Sequence, residues 1–405
     1  MNILFFNRSF YPDVESTGQL LTELCEDLTE YGHNVSVICG RSYYLGDKKF
    51  NFYLQFDKYK KVEVIRAWGT KFLKRFLFLR LLNLSTYFFL AFIAGFLVKN
   101  KPDVVIVQTD PPLLGPLGIF FSKWYKAKFV YSCQDLYPDV GIITGKLKSS
   151  FLNYLLEKIT MLSFKWSDCV ISIGEDMKNR IIGKGIDKNK IFVIHNWADT
   201  NTLYPILPNE NKFKTKHNLN NSFLVMYSGN IGFTQGLDKL VEVASRLKEK
   251  NNLRFLLVGD GADKPNLEAQ VSKLELKNIS FLPYQSKEEL NNSLNSPDIH
   301  LITSQRGLAG IVVPSKIYGI LACGKPFIAW VDKESEISHI AKKYNCGIVV
   351  KPGNVEEMIR SLEWVFDNQS ELKKMGQNSR KVAVEFFDRK VSTGKFNKLL
   401  EEISL

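Results

Sequence analysis

The sequence predicts an α/β protein of two doubly wound parallel-sheet domains, and three observations predict it. The chain has 405 residues, more than one ordinary hydrophobic core accommodates, which calls for two domains of about 200 residues each. Short β-branched or aromatic runs alternate with longer helical patterns along both halves, the signature of a parallel sheet covered by helices. Glycine-bearing loops follow several of these runs, where doubly wound sheets hold their ligands. With 45% hydrophobic and 13% aromatic residues, the composition supports large cores and argues against disorder. The 54 Lys and Arg against 42 Asp and Glu leave a net charge of +12. That charge favours partners carrying phosphate: nucleic acid, an anionic bilayer or a phosphorylated small molecule. Six cysteines are scattered without a C-x-x-C pair, as expected of buried thiols in a reducing compartment and not of a metal site. Met1 leads straight into an apolar run with no basic segment or cleavage site before it, which points to a cytoplasmic protein.

In the first half, strands are expected at 2–6, 35–39, 62–65, 104–108, 129–133, 169–173 and 191–195. Leu20, Leu21, Leu24 and Leu28 form one helical face that stops at Gly32, a residue free to take the left-handed cap. The loop before that helix, 11–19, is long for such a connection and stands at the carboxyl end of the first strand; it carries Glu15, Gly18 and Gln19. Residues 81–98 run 18 positions without a charge, close to the length of a membrane span. Asn83, Ser85, Thr86 and Gly95 interrupt them and a strand follows, so a buried helix is the favoured reading. Just before it, Lys71, Lys74 and Arg75 share one helical face while Phe72, Phe76 and Leu79 share another. This is the pattern of a helix lying in a membrane interface, although a solvated cationic helix has the same spacing. Lys123, Lys126 and Lys128, around Trp124 and Tyr125, could extend such a patch.

Residues 200–221 contain Pro205, Pro208 and several asparagines and lysines, and read as a linker. A second series of strands is expected at 223–227, 253–258, 279–281, 299–302, 327–330 and 347–350. After Gly353, Asn354 with Glu357 three residues on marks a helix start, and Val355, Met358, Ile359, Leu362, Val365 and Phe366 make its buried face.

Three loops of the second half could meet at one crevice. In the first, the glycines around Ser228, Gly229, Asn230 and Gln235 let the backbone approach a ligand ahead of a helix. The second, Gly259-Asp260-Gly261, ends an apolar strand; alone it signals no more than a turn. The third is 306–326, RGLAGIVVPSKIYGILACGKP, where Arg306 and Gly310 lead into Pro314, Ser315 and Lys316 at the start of a short apolar helix. A helix N-terminus offers unpaired N–H groups and about half a positive charge, and an Arg or Lys beside it adds a full one. A surface turn with solvated cations is the plainer alternative.

Taken in order, these pieces resemble the family 4 retaining glycosyltransferases of the GT-B fold. The resemblance is carried by 2–19, Gln134-Asp135-Leu136-Tyr137-Pro138-Asp139, Ile194-His195-Asn196-Trp197, Ser228-Gly229-Asn230 with Gln235-Gly236, Gly259-Asp260-Gly261 and 314–326, so it spans essentially the whole chain. Within the family it is nearest to bacterial transferases of O-antigen and colanic acid assembly, the N-acetyl-L-fucosamine transferases especially. The resemblance implies two Rossmann-like domains facing a central cleft. An acceptor domain would occupy 1–199, a nucleotide-sugar domain 200–384, and a last helix in 385–405 would return to the first domain. It implies transfer of a sugar, such as an N-acetylated amino sugar, from a UDP donor to a polyprenyl-diphosphate-linked glycan of O-antigen or capsule synthesis. The enzyme would work at the anionic inner face of the cell membrane, with no cofactor and no nucleic acid. No convincing D-x-D ends a strand, so no obligate metal is expected.

The donor contacts implied are Gly18, Ser228, Gly229, Asn230, Gln235, Gly259, Asp260, Gly261, Tyr284, Gly310, Pro314, Ser315 and Ile317. The acceptor side takes Glu15, Gln19 and Gln134, and the amphipathic stretch would touch the membrane through Lys71, Phe72, Lys74, Arg75 and Phe76. The chain also departs from the family. Asn230 and Gln235 stand where an Arg and a Lys usually hold the donor diphosphate; Ile311 and Gly319 stand where a Glu-x7-Glu pair is usual; Gln134 replaces a frequent His. The charge burden therefore moves to Lys316 with Arg306, and Asp135 is left to position an acceptor hydroxyl or the sugar, unless it merely caps its strand. A GT-B sugar-nucleotide epimerase and a catalytically silent GT-B partner subunit stay open as alternatives. A nicotinamide oxidoreductase is set aside, because Asn7-Arg8-Ser9-Phe10 occupy the place of its G-x-G-x-x-G.

Overall fold

The computed structural model describes residues 1–13, 15–41, 53–70 and 77–404. The amphipathic stretch with Lys71, Phe72, Lys74, Arg75 and Phe76 lies outside the described residues. The chain divides into two compact units, Met1–His195 with Ser392–Leu405, and Asn196–Val391.

The first unit runs β1 (Asn2–Phe6), α1 (Ser16–Glu30), β2 (Asn34–Gly40), β3 (Leu54–Tyr59), β4 (Val62–Ala67), α2 (Leu77–Gly95), β5 (Val104–Gln108), α3 (Gly115–Tyr125), β6 (Lys128–Cys133), α4 (Asp139–Ile143), α5 (Ser150–Trp166), β7 (Cys169–Ser172), α6 (Glu175–Gly183) and β8 (Ile191–Val193). Its sheet has the order β3-β4-β2-β1-β5-β6-β7-β8. Every pairing is parallel except that of β3 with β4. The residues of β5 are all buried, which is why it reads as the uninterrupted VVIVQ: a strand covered on both faces has no polar side to alternate with. The edge strand β3 has no such pattern. Its Asp57 and Lys58 are exposed, charges that discourage edge pairing and that hide the strand from a hydrophobicity reading.

The second unit runs α7 (Lys212–Lys216), β9 (Phe223–Ser228), α8 (Leu237–Arg246), β10 (Leu253–Val258), α9 (Lys264–Lys273), β11 (Ile279–Leu282), α10 (Leu290–Asn295), β12 (Ile299–Thr303), α11 (Lys316–Ala322), β13 (Phe327–Trp330), α12 (Glu336–Tyr344), β14 (Gly347–Val350), α13 (Val355–Asp367) and α14 (Gln369–Phe386). Its parallel sheet has the order β11-β10-β9-β12-β13-β14. Asn354 caps α13 as its sequence indicates: its Oδ1 accepts the Glu357 N–H at 3.2 Å, and its own amide donates to Glu357 Oε2 at 3.0 Å. The last helix, α15 (Arg389–Ser404), packs on the first unit, where the Thr393 hydroxyl donates to Asp27 at 2.8 Å and Asn397 meets His33 at 2.6 Å. All six cysteines are buried thiols.

Two expectations need correction. Residues 200–221 are no free linker: Asn295 accepts the Ile206 N–H at 2.9 Å and donates to the Tyr204 carbonyl at 2.9 Å, and Arg380 donates to the carbonyls of Leu203, Thr200 and Ala322. The polar residues that look like loop composition are partners for exposed backbone. Nor is the 81–98 helix buried all round. Tyr87, Ala91 and Ala94 face inward, but Phe89 is 63% and Ile93 37% exposed. No helix among the described residues is long and apolar enough to cross a membrane.

In a doubly wound sheet the crevice opens where strand order reverses, at the carboxyl ends of the two strands that flank the reversal. Those pairs are β1 with β5 in the first unit and β9 with β12 in the second.

Candidate functional site

In the second unit the loops after β9 and β10 touch each other through their glycines. A Cβ on Gly259 would lie 1.9 Å from the Gly229 carbonyl oxygen, and one on Gly261 2.2 Å from that of Ile231. Gly229 and Gly259 also hold φ of 145° and 148°, in the region that favours glycine. Main-chain bonds stitch the loops together: Gly229 N–H to Val258 at 2.9 Å, Ile231 N–H to Asp260 at 2.9 Å, Asp263 N–H to Ile231 at 3.1 Å. The result is bare backbone at the mouth of the crevice.

Lys316 enters this place from α11. Its Nζ lies 3.7 Å from the centroid of the Tyr227 ring and 3.1 Å from the point where a Gly229 Cβ would stand. The side chain keeps some accessible surface, but its ammonium is packed round by protein, and that desolvation lowers its pKa from 10.5 to about 7. No carboxylate among the described residues offsets the cost. The tyrosine face offsets part of it, a contact worth up to ~2 kcal/mol when desolvated. Tyr227 is in turn fixed by its hydroxyl, which donates to the Asn230 carbonyl at 2.7 Å. Tyr227 was not singled out by sequence reading; the available signal was an aromatic as the penultimate residue of a strand that runs into a Gly loop.

The two positions where cations are usual serve the loop itself. Gln235 Oε1 lies 3.3 Å from the Tyr227 hydroxyl, and Asn230 Oδ1 lies 2.7 Å from the point of a Gly261 Cβ. Ser228 is half-buried, and Asp260 is exposed with its carboxylate accepting the Gly261 N–H at 2.8 Å. Tyr284 reaches over to the Asp260 carbonyl, at 3.5 Å, with its ring 56% exposed. Gly310 is buried with φ 70° in the loop that delivers α11. Pro314 and Ser315, half-buried, form its entry, and the Pro314 carbonyl accepts the Ile317 N–H at 3.3 Å. The Ile317 side chain is wholly buried. Arg306 is exposed and makes no ion pair among the described residues, while the neighbouring Gly307 N–H is held by Asp332 at 2.6 Å. Ile311 is wholly buried, and a side chain at Gly319 would meet Leu294 and Leu203 at 3.3 and 3.5 Å. Both positions of the missing carboxylate pair therefore lie in apolar surroundings.

The corresponding end of the first unit is acidic. The Ser9 hydroxyl stands 2.6 Å from Asp110 and 3.0 Å from Glu15, and Arg8 pairs with Asp110 at 3.0 Å. Asp135 has its pKa raised to about 6, first by burial and then by Asp110, with Lys146 acting the other way. The Thr109 hydroxyl accepts the N–H groups of both Gln134 and Asp135, at 3.0 and 3.1 Å, and so sets the strand end. Gly18 lies in the first turn of α1 against Ser9, Phe10 and Asp13; Gln19 is exposed. Arg8, Ser9 and Asp110 were passed over in the sequence because no spacing links positions 8 and 110. Among the described residues, no group of three His, Cys, Asp or Glu side chains is placed to hold a metal ion.

The second unit matches the family described as glycosyl transferases group 1 over residues 209–382, and the first matches Glycosyltransferase Family 4 over 17–202. The putative colanic acid biosynthesis glycosyl transferase WcaI of Escherichia coli is 27% identical over 377 residues, covering 89% of this chain and 91% of the relative. Among solved structures, sucrose-phosphate synthase of Thermosynechococcus elongatus superposes with a TM-score of 0.80 at 14% identity, over 100% of this chain and 99% of that one. Anabaena HepE in complex with UDP gives 0.74 at 15% identity, over 99% and 100%. With both domains matched and the fold shared along its whole length, the chain is a glycosyltransferase of the GT-B type.

Proposed function

We propose that this glycosyltransferase moves a sugar from a UDP donor to a polyprenyl-diphosphate-linked glycan with retention of configuration, in the synthesis of a surface polysaccharide. One observation carries the donor side: a desolvated ammonium, Lys316, with no carboxylate beside it among the described residues, set against two bare glycine loops. A diphosphate suits such a slot, because charge-assisted bonds are strongest where water is excluded. HepE, solved with UDP, supports the nucleotide, and the E. coli relative, named for colanic acid biosynthesis, supports the pathway class. An N-acetylated amino sugar such as N-acetyl-L-fucosamine is the proposed moiety, on the resemblance set out above.

In the reaction, the acceptor hydroxyl oxygen bonds to the anomeric carbon on the face from which the bond to the β-phosphate oxygen breaks. The electron pair of that bond leaves with UDP, and the hydroxyl proton passes to the departing phosphate oxygen. Lys316, protonated against the diphosphate, stabilises the growing charge. Asp135 orients the acceptor hydroxyl. Thermal denaturation with a panel of nucleotides and nucleotide-sugars tests the donor side, since a true donor raises the midpoint by mass action. UDP and one UDP-sugar should stabilise the wild type and not Lys316→Ala; stabilisation by another nucleotide in preference to UDP would overturn the donor assignment.

A further inference from the structure

Strand β12 ends in a buried hydroxyl with nothing to bond. Thr303 is 2% exposed, and its Oγ1 makes no hydrogen bond among the described residues. Burying an unbonded hydroxyl costs stability, so the position calls for a cause. Its place in the sheet supplies one. The register of β9 with β12 sets Tyr227 beside Leu301 and ends there, whereas β12 stays paired with β13 as far as Thr303 and Trp330. Thr303 therefore stands two residues past the last pair of the reversal, where the crevice opens. Residues two apart along a strand share a face, so Thr303 turns to the side of Leu301 and Tyr227.

The groups on that side are those of the donor slot. The Tyr227 phenol has its pKa raised, by burial first and by Tyr284 next, and Thr303 acts the other way, which puts the two hydroxyls near each other. The phenol gives its own proton to the Asn230 carbonyl at 2.7 Å, and Thr303 is left unbonded. Lys316 Nζ lies 3.7 Å from the Tyr227 ring centroid and 3.1 Å from the point of a Gly229 Cβ. Gly229 is two residues past Tyr227 as Thr303 is two past Leu301, so the ammonium and the hydroxyl share one end of the crevice. A hydroxyl and an ammonium together offer donors that a phosphate oxygen accepts. With Asn230 and Gln235 serving the loop itself, a neutral donor fixed in the strand is what stands beside Lys316.

We infer that Thr303 is a further phosphate-binding residue, its hydroxyl hydrogen-bonding a phosphate oxygen of the donor when the Lys316 ammonium turns from the Tyr227 ring to the diphosphate. The inference rests on the UDP-sugar reading and adds to it a contact rooted in the sheet instead of a loop. The test uses the purified full chain, UDP as the probe, and two variants: Thr303→Val, which keeps the branched shape and removes the hydroxyl, and Thr303→Ser, which keeps the hydroxyl. Without ligand, Thr303→Val should melt no lower than the wild type, since an unbonded buried hydroxyl is removed. Its affinity for UDP, by calorimetric titration, should fall about tenfold or more, the loss of a hydrogen bond to a charged group. Thr303→Ser should bind UDP within about threefold of the wild type. Three results would overturn the inference alone while the wild type binds UDP. One is a Thr303→Val variant that binds UDP as tightly as the wild type. Another is a Thr303→Val variant that melts below the wild type without ligand, since the hydroxyl would then be bonded within the protein. The third is a Thr303→Ser variant as weak as Thr303→Val, which would assign the effect to the lost methyl group. A wild type that does not bind UDP would overturn the donor reading and this inference together.

Discussion

The two crevices stand at equivalent places on similar scaffolds, yet they are lined by opposite chemistry. At the carboxyl end of β9 the lining is glycine backbone with one ammonium, Lys316. At the carboxyl end of β1 it is Ser9, Glu15 and Asp110, with Arg8 already paired to Asp110. Backbone N–H groups and a desolvated cation receive an anion, whereas carboxylates and a hydroxyl receive a hydroxyl-bearing ligand. The difference teaches that a doubly wound sheet supplies the location of a site and that the loops supply its sign.

Removing the ammonium should break the comparison most completely. Lys316→Ala is expected to lower kcat by about 10² to 10³, as for loss of a group that stabilises a leaving charge, with the circular dichroism spectrum retained. Lys316→Met should be as inactive, yet more stable than the wild type by ~1 kcal/mol or more, because an unpaired buried charge is replaced by an apolar group. That gain has a definite pH dependence. The folded protein binds fewer protons than the unfolded chain between pH about 7 and 10.5. The cost of burying Lys316 is therefore full below about 7 and fades as pH rises toward 10.5. Denaturant melts of both proteins at pH 6 and pH 10 should show the difference shrinking at the higher pH.

Gly259→Ala strikes the glycine side of the same crevice. With a Cβ 1.9 Å from a carbonyl oxygen and φ at 148°, it should destabilise by ~3 kcal/mol, seen as a lower melting point and lost UDP binding. A substitution that leaves both unchanged would mean that the loops are not held against each other.

The acidic crevice should respond more mildly. Asp135→Asn is expected to cost about tenfold to a hundredfold in turnover, mostly through the acceptor. If both assignments hold, kcat/KM in the wild type falls below pH about 6, where Asp135 gains its proton, and above about 7, where free Lys316 loses its own. Asp135→Asn should remove only the acid limb, and a profile that keeps it would assign that limb elsewhere. The smallest effect belongs to Arg306. Exposed and outside any ion pair among the described residues, it should change turnover by no more than about threefold on replacement by Ala.

Much of the fold was legible because its elements are periodic. The buried strands β1, β5, β10 and β13 and the half-buried β14 stand at the positions expected from their apolar runs, and the α13 cap was readable from Asn354 and Glu357. The edge strand β3 escaped because charges interrupt it, and 200–221 was misread because residues that satisfy exposed backbone look like loop residues. Of the candidate site, the glycine loops and Lys316 were visible as local motifs. Tyr227 as a platform, and the Arg8, Ser9 and Asp110 group, were not, since they join residues distant in the chain.

By itself the sequence determined the two α/β halves, the places of the glycine loops and the absence of the usual Arg, Lys and Glu residues, because periodicity and motif are local properties of a chain. Tertiary structure alone decided that Lys316 lies desolvated over Tyr227, that Gly259 closes on Gly229, and that α5 turns its large apolar groups outward. Burial, close approach and the choice of which helix face meets water depend on neighbours that only folding brings near.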